Sequence, residues 1–286
     1  MKNIGIVTDS GASLPESIAA AYDLDIVPMG IQVEGRIVRD GIDMTREAFY
    51  ALMSEVLGMS TSQPSPGDFL EVYERAAEKA RELISIHITS KASGTYQVAN
   101  LIKDKVAVRI TMFDTLSCSM GQGFLVIEAA KAAQAGKSRD EIIALLESLR
   151  DNVAVYAVVP TLKYLSRSGK VGRVKALVAN LLNVKPIISM RGGAAEVVGK
   201  VRSQPKALDQ LIRLVEERFP NQRIQAAVMH TNAHQKAEEF KQLVQTRLQC
   251  EEILVTDMGS ALAVHGGPGM IGIAAYPVDW QKSTRQ

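Results

Sequence analysis

Short apolar runs alternate with amphipathic stretches through the first half of the chain. Residues 4–7 predict a strand, broken by the polar TDSGAS. ELISIHIT (82–89), VRITMFDT (108–115) and VAVYAVV (153–159) predict three more strands. Between them, YQVANLIKD (96–104) and MGQGFLVIEAAKAAQAG (120–136) carry apolar residues at helical spacing. Ser13 with Glu16, and Ser138 with Glu141, have the three-residue spacing of capping boxes, in which a hydroxyl and a carboxylate satisfy each other's backbone donors. Strands alternating with helices predict a parallel sheet covered on both faces.

The pattern changes in the second half. VKPIISM (184–190) and AEVVGKVR (195–202) flank RGGA, which reads as a hairpin turn. A helix is expected over 208–219, with Pro205 near its start. IQAAVMH (224–230) and EEILVTD (251–257) are expected strands around a helix over 233–248, and MIGIAAYP (270–277) is the last strand. The expected fold class is therefore two-domain α/β. An N-terminal α/β domain with a parallel sheet spans 1–158, and a C-terminal mixed α+β domain spans 159–286. Residues 61–68 hold two prolines and read as a loop before a helix over 69–81, with Asp68 as its cap. The segment 61–75 is a candidate for packing with the second domain.

Composition narrows the function classes. The chain of 286 residues carries 33 Lys+Arg against 31 Asp+Glu, a balance that points away from nucleic acid and from a polybasic membrane surface. Cys118 and Cys250 are the only cysteines, too few for a disulfide framework, and a cytoplasmic protein with reduced thiols is the simplest expectation. The opening MKNIGIVTDSG turns polar too soon for a signal peptide, and no apolar run is long enough for an integral membrane segment.

Several motif resemblances fail. Gly199-Lys200 is followed by Val201 where a P-loop needs Ser or Thr. GGPGMIG opens into a strand-like run instead of a helix, so the dinucleotide reading fails. No nucleophile elbow and no metal-ligand spacing is present, so no catalytic residue and no metal or other cofactor is expected. His87, His230, His234 and His265 are scattered, and His265 is expected in a glycine-rich loop.

What remains is a set of Ser-, Thr- and Gly-rich loops after strands, at 8–10, 90–95 and 114–123. In a parallel sheet such loops share one edge, where ligands bind. Small hydroxyls with helix-start N–H groups suit an anion, although the same residues also serve as ordinary helix caps. TSQPSPGDF (61–69) adds two hydroxyls before a proline-stiffened turn. LKYLSRSGKVGR gathers Lys163, Arg167, Lys170 and Arg173, either a solvated charge run or a docking patch.

TDS, TSQPSPGDF, SKASGTYQ, SMGQGFLV, LKYLSRSGKVGR, NVKPII, KVR and HGGPGMIGIAAYP occur in this order along essentially the whole chain. In these the chain resembles the DegV family of fatty-acid-binding proteins. The resemblance implies two α/β domains with a long-chain fatty acid buried between them. It also implies a non-enzymatic role as the substrate-presenting subunit of a bacterial fatty acid kinase. An ATP-dependent partner would phosphorylate the bound carboxylate, and the acyl phosphate would feed phospholipid synthesis. By the resemblance Thr61 and Ser93 hold the carboxylate, with Gly94, Thr95 and His265 around it and Ser62, Gly266 and Ser10 as secondary candidates. Arg167, Lys170, Arg173 and Arg202 are candidates for docking the partner. Pro160 departs from the acidic residue that relatives often carry there, and SKAS and MRGG also vary from common forms. Two alternatives stay open: a stand-alone acyl hydrolase or transferase using Ser93 and His265, with Asp9 or Asp114 orienting, and a binder of a small phosphorylated metabolite.

Overall fold

A computed structural model describes residues 1–56, 58–167 and 184–281. Among these the strands form three sheets. The first holds β1 (Lys2–Asp9), β2 (Asp25–Val27), β6 (Ala80–His87) and β7 (Arg109–Asp114), all parallel, in the order β2-β1-β6-β7. A small antiparallel sheet is made by β3 (Gly30–Val33), β4 (Arg36–Arg39) and β5 (Ser60–Ser62). The third is mixed: β8 (Ala154–Val158), β9 (Lys185–Arg191), β10 (Ala194–Val201), β11 (Ile224–His230), β12 (Cys250–Asp257) and β13 (Ile271–Pro277), in the order β10-β9-β8-β13-β11-β12.

The expected alternation placed residues 153–159 as a fourth strand of the parallel sheet. That placement is corrected, because β8 runs antiparallel to β13 and β9 in the mixed sheet. A fully apolar strand looks the same in either sheet, and its partner is selected by register with residues more than a hundred positions away, Val158 opposite Ile271. The expected domain division at 158 follows this strand. We infer from the sheet pairing that the division precedes it, in the turn at 151–153. The place of the fourth parallel strand is taken by β2, three residues that are too short for periodicity to reveal.

The helices build layers around the two large sheets. α1 (Glu16–Ala21) and α2 (Arg46–Glu55) are followed by α3 (Pro66–Lys79) and α4 (Thr95–Ile102). Phe69, Val72 and Tyr73 of α3 and Ala99 of α4 bury against Val7 and Leu83 on one face of the first sheet. The other face, with Ile4, Ile6, Ile84 and Ile86, packs on α5 (Met120–Gln134) and α6 (Arg139–Arg150). α5 also touches the second large sheet through Val155, Ala274 and Tyr276, so it is apolar nearly all round. The far face of that sheet is covered by α8 (Gln204–Arg218) and α9 (His234–Arg247), while α7 (Leu162–Arg167) and α10 (Ser260–Gly266) lie at its edge loops.

Caps explain where these helices begin, and they correct two expectations. Ser138 and Glu141 form the expected capping box. Ser13 does not cap α1. Its backbone is left-handed, with φ of 55°, and its hydroxyl donates to the Met258 carbonyl at 2.8 Å, which ties the first sheet's loop to the second sheet. The cap of α3 is Ser65, in a box with Asp68, so the helix starts at Pro66 and yields to β6 at Ala80. Within the proline segment, Ser60–Ser62 is a strand and not a loop. It belongs to the lobe in which Ile31, Val33, Phe49 and Met53 pack on Ala263 and Val264 of α10, whereas Pro66–Lys79 covers the first sheet.

A second tie holds this lobe. The Tyr50 hydroxyl of α2 donates to the Asp257 carboxylate at 3.1 Å, and His230 Nδ1 lies 3.4 Å from it. Burial pushes the Asp257 carboxyl up. His230, the Gly259 N–H and Arg46 together outweigh burial and hold it below the ordinary carboxylate value. A folded value below the unfolded one contributes stability that is present above the unfolded value and lost as pH falls through the folded one. Acid melts should therefore show the wild type losing more stability below about pH 4 than Asp257→Asn does. Equal acid slopes would exclude Asp257 as a contributor.

Candidate functional site

Because β1, β6 and β7 are parallel, the loops that follow them meet at one edge. The first of the three is structural. Asp9 is fully buried, and its carboxylate accepts from the N–H of Gly11 and of Ile88, each at 2.9 Å, and contacts His87 Nδ1 at 2.9 Å. His87 Nε2 lies 2.6 Å from Ser85 Oγ, which lies 2.8 Å from the Tyr73 hydroxyl. The chain of four polar groups is sealed from solvent, so it clamps β1 to β6. Ser10 is committed elsewhere: its hydroxyl donates to Asp40 at 3.0 Å and accepts from Met29 N–H at 3.1 Å.

The second loop opens α4. Ser93 Oγ and Thr95 Oγ1 lie 2.8 Å apart, both buried, and Gly94 is the N-cap residue. A Cβ on Gly94 would meet the Gln63 side chain at 3.2 Å, so the TSQPSP segment lies directly over the Ser-Gly-Thr turn. At the tip of the β9–β10 hairpin, Gly193 has φ of +86° and its carbonyl accepts from Thr89 Oγ1 at 2.8 Å. The hairpin thereby covers the other side of the loop, and only a glycine fits there, since a Cβ would lie 2.7 Å from that hydroxyl.

Thr61 Oγ1 lies 2.8 Å from His265 Nε2. The structure therefore brings together Thr61 and His265, and separately Ser93 with Thr95, with Gln63 over Gly94. His265 is in the last turn of α10, a correction of its expected place in a loop. The glycines that follow, Gly267 and Gly269, have positive φ and lead into β13. Ser62 Oγ is buried without a partner and faces Gly30 on β3.

Ser93, His265 and Gly266 line a cavity of about 160 Å³ between the two large sheets. Its walls are otherwise largely aliphatic and thioether. Ile88, Val155, Val159 and Ile188 contribute, and so do Met29, Met190, Met229, Met258 and Met270, five of the chain's 11 methionines. Methionine is flexible enough to conform to an irregular apolar ligand. Cys118 also lines it, a free thiol that burial pushes up to about 12 and so keeps protonated and inert. This arrangement can hold an extended apolar chain with a polar end among hydroxyls and an imidazole.

A model of the DegV family, described as uncharacterised proteins, matches residues 3–278. The chain belongs to the DegV family. A DegV domain-containing protein of Deinococcus radiodurans is 35% identical over 282 residues, covering 96% of this chain and 99% of the relative. One from Caldanaerobacter subterraneus is 33% identical over 277 residues, covering 96% and 98%. Among solved structures, a DegV family protein of Thermus thermophilus, described as fatty acid binding, superposes with a TM-score of 0.90 at 33% identity, covering 97% of this chain and all of that one. DegV of Bacillus subtilis, described as a fatty acid binding protein, gives 0.86 at 28% identity, covering 97% and 100%.

In this DegV member the carboxylates near the hydroxyl loops have partners of their own. Asp9 is bound to His87, the Asp114 carboxylate accepts from the N–H of Ser90 and Leu116, and Ser93 pairs with Thr95. Among the described residues no group of His, Cys, Asp or Glu could hold a metal ion, and no helix is long and apolar enough to cross a membrane. Arg202 is exposed just after β10. Lys170, Arg173 and the Arg167 side chain lie outside the described residues. The Gln63 contact and the methionine wall are not legible in the sequence. The only available signal was the high methionine count, which ordinary core packing explains equally well.

Proposed function

We propose that this protein binds a long-chain fatty acid, with its tail in the methionine-lined cavity and its carboxylate at Ser93, Gly94 and Thr95 together with Thr61 and His265. The observation that carries the reading is one cavity, apolar along its length, that reaches both Ser93 and His265. The tail supplies affinity at about 0.8 kcal/mol per buried methylene, so about fourteen methylenes contribute roughly 11 kcal/mol gross, reduced by several kcal/mol of ordering. The head sets orientation. A carboxylate held by converging hydroxyl and amide donors needs no lysine beside it. Ser62 and Gly266 are secondary to this set, and Ser10, occupied by Asp40, is the weakest member of it.

In this reading the protein is a non-enzymatic, cytoplasmic carrier without a cofactor of its own, and it presents the acid to an ATP-dependent fatty acid kinase subunit for acyl phosphate formation. The absence of a P-loop in the sequence supports the need for a partner that brings the nucleotide. Arg202, with Arg167, Lys170 and Arg173, is proposed to meet that partner.

Organic extracts of protein purified from a bacterial host should contain a long-chain fatty acid by mass spectrometry. Ser93→Ala and Thr61→Ala should each weaken fatty acid binding by about tenfold to a hundredfold, and their combination by more than a hundredfold, since each hydrogen bond to a charged group is worth about 1.5–3 kcal/mol. No acyl chain in the extract and no uptake of added fatty acid would sink the proposal. Unchanged affinity in the double variant would move the head group elsewhere.

A further inference from the structure

A second cavity, of about 350 Å³, lies beside the acyl cavity and shares Val155, Ser189 and Met190 with it. Its character is opposite. Arg150 from the end of α6, Arg191 from the end of β9 and Arg218 from the end of α8 line it, with Tyr156 of β8. We propose that this cavity binds a small molecule bearing a phosphate or carboxylate group, held by the three guanidiniums.

The arginines are not consumed by the fold. Among the described residues none of the three forms an ion pair. Arg150 donates from Nη1 to the Asp114 carbonyl at 3.2 Å and stacks over Phe113 at 5.2 Å, which fixes its plane, while its Nε is buried with no partner. Arg218 donates from Nη2 to the Asp151 carbonyl at 2.8 Å. The Arg191 side chain makes no hydrogen bond within the described protein and is exposed at the cavity's rim. Each retains donors of the planar fork that matches carboxylate and phosphate oxygens.

Tyr156 adds a further donor. It is 8% exposed, lines the cavity, and its hydroxyl has no hydrogen-bond partner in the described protein. Burial pushes the phenol up, and Arg218 and Arg191, which line the same cavity, act against that rise. Glu217 acts in the opposite sense on the same phenol, and Asp151 lines the cavity. Three arginines against these two carboxylates leave an excess of positive charge. A cavity of about 350 Å³ admits a compact organic anion as well as a bare phosphate. A concave site of this size suits a freely diffusing small molecule better than a macromolecule.

The test is calorimetric titration of the intact, fatty-acid-loaded protein with inorganic phosphate and with citrate. At least one should bind saturably. Arg191→Gln and Arg218→Gln should each weaken that binding by about tenfold, and their combination by more, with fatty acid affinity unchanged. Both side chains are exposed, so these variants keep the test readable even where Arg150→Gln disturbs the Phe113 contact. No saturable binding of either anion would overturn the proposal, as would undiminished affinity in the Arg191→Gln/Arg218→Gln double variant. Arginine-dependent binding to phosphatidic acid vesicles, with none to free phosphate or citrate, would also overturn it in favour of a lipid headgroup.

Discussion

Ala157→Phe should all but abolish fatty acid binding while leaving a folded protein. Ala157 lies on β8 and is only partly buried by its protein neighbours, because its side chain faces the methionine-lined cavity proposed to hold the tail. A phenyl ring projected there displaces several carbons of a bound chain. Excluding about four methylenes at about 0.8 kcal/mol each removes roughly 3 kcal/mol, a hundredfold or more in affinity. Ala195→Phe, on the cavity wall from β10, should act in the same sense and guards against a purely local effect. The measurement is fatty acid affinity beside a thermal melt. Two folded variants with wild-type affinity would place the acyl chain outside this cavity.

The largest stability loss should come from Asp9→Ala. Three buried groups, the N–H of Gly11, the N–H of Ile88 and His87 Nδ1, converge on this carboxylate. An alanine leaves them without a partner where no water reaches, at about 1–3 kcal/mol for each group stranded. A total of about 3–9 kcal/mol corresponds to a fall in melting temperature of roughly 5–15 °C for a chain of this length. Ile88, whose N–H the clamp holds, also lines the acyl cavity, so fatty acid retention should fall along with stability. A melt within a degree or two of wild type would show that the clamp is not structural.

Much of the architecture could be read from the chain because its devices are local. The alternation of apolar strands with helices, the Ser138–Glu141 box and the hairpin at Gly192-Gly193 each depend on a few neighbouring residues. The misplacements have a common cause. From sequence alone β8 reads as part of the nearer sheet, because its pairing with β13 is a long-range choice. Ser13 matched a capping box, yet its hydroxyl is drawn to the Met258 carbonyl, 245 residues away in the chain. The hydroxyl loops were visible as motifs. The meeting of Thr61 with His265, and of Gln63 with Gly94, was implied only by family resemblance, or not at all, because it depends on the lobe closing over α4 and α10. The cavity was invisible for a simpler reason: residues that line a void and residues that fill a core have the same chemistry.

The methionine wall carries a consequence for how the protein withstands oxidants. A thioether that meets peroxide becomes a sulfoxide, a polar and chiral group in place of a flexible apolar one. Met29, Met190, Met229, Met258 and Met270 all border the apolar cavity, so oxidation there sets dipoles along a surface that is otherwise hydrocarbon-like. A seated acyl chain fills the space through which peroxide would approach those sulfurs. On the proposed function the bound chain would thus shield the surface that holds it, and the protein left empty under oxidative stress would lose that apolar surface until a sulfoxide reductase restored the thioethers.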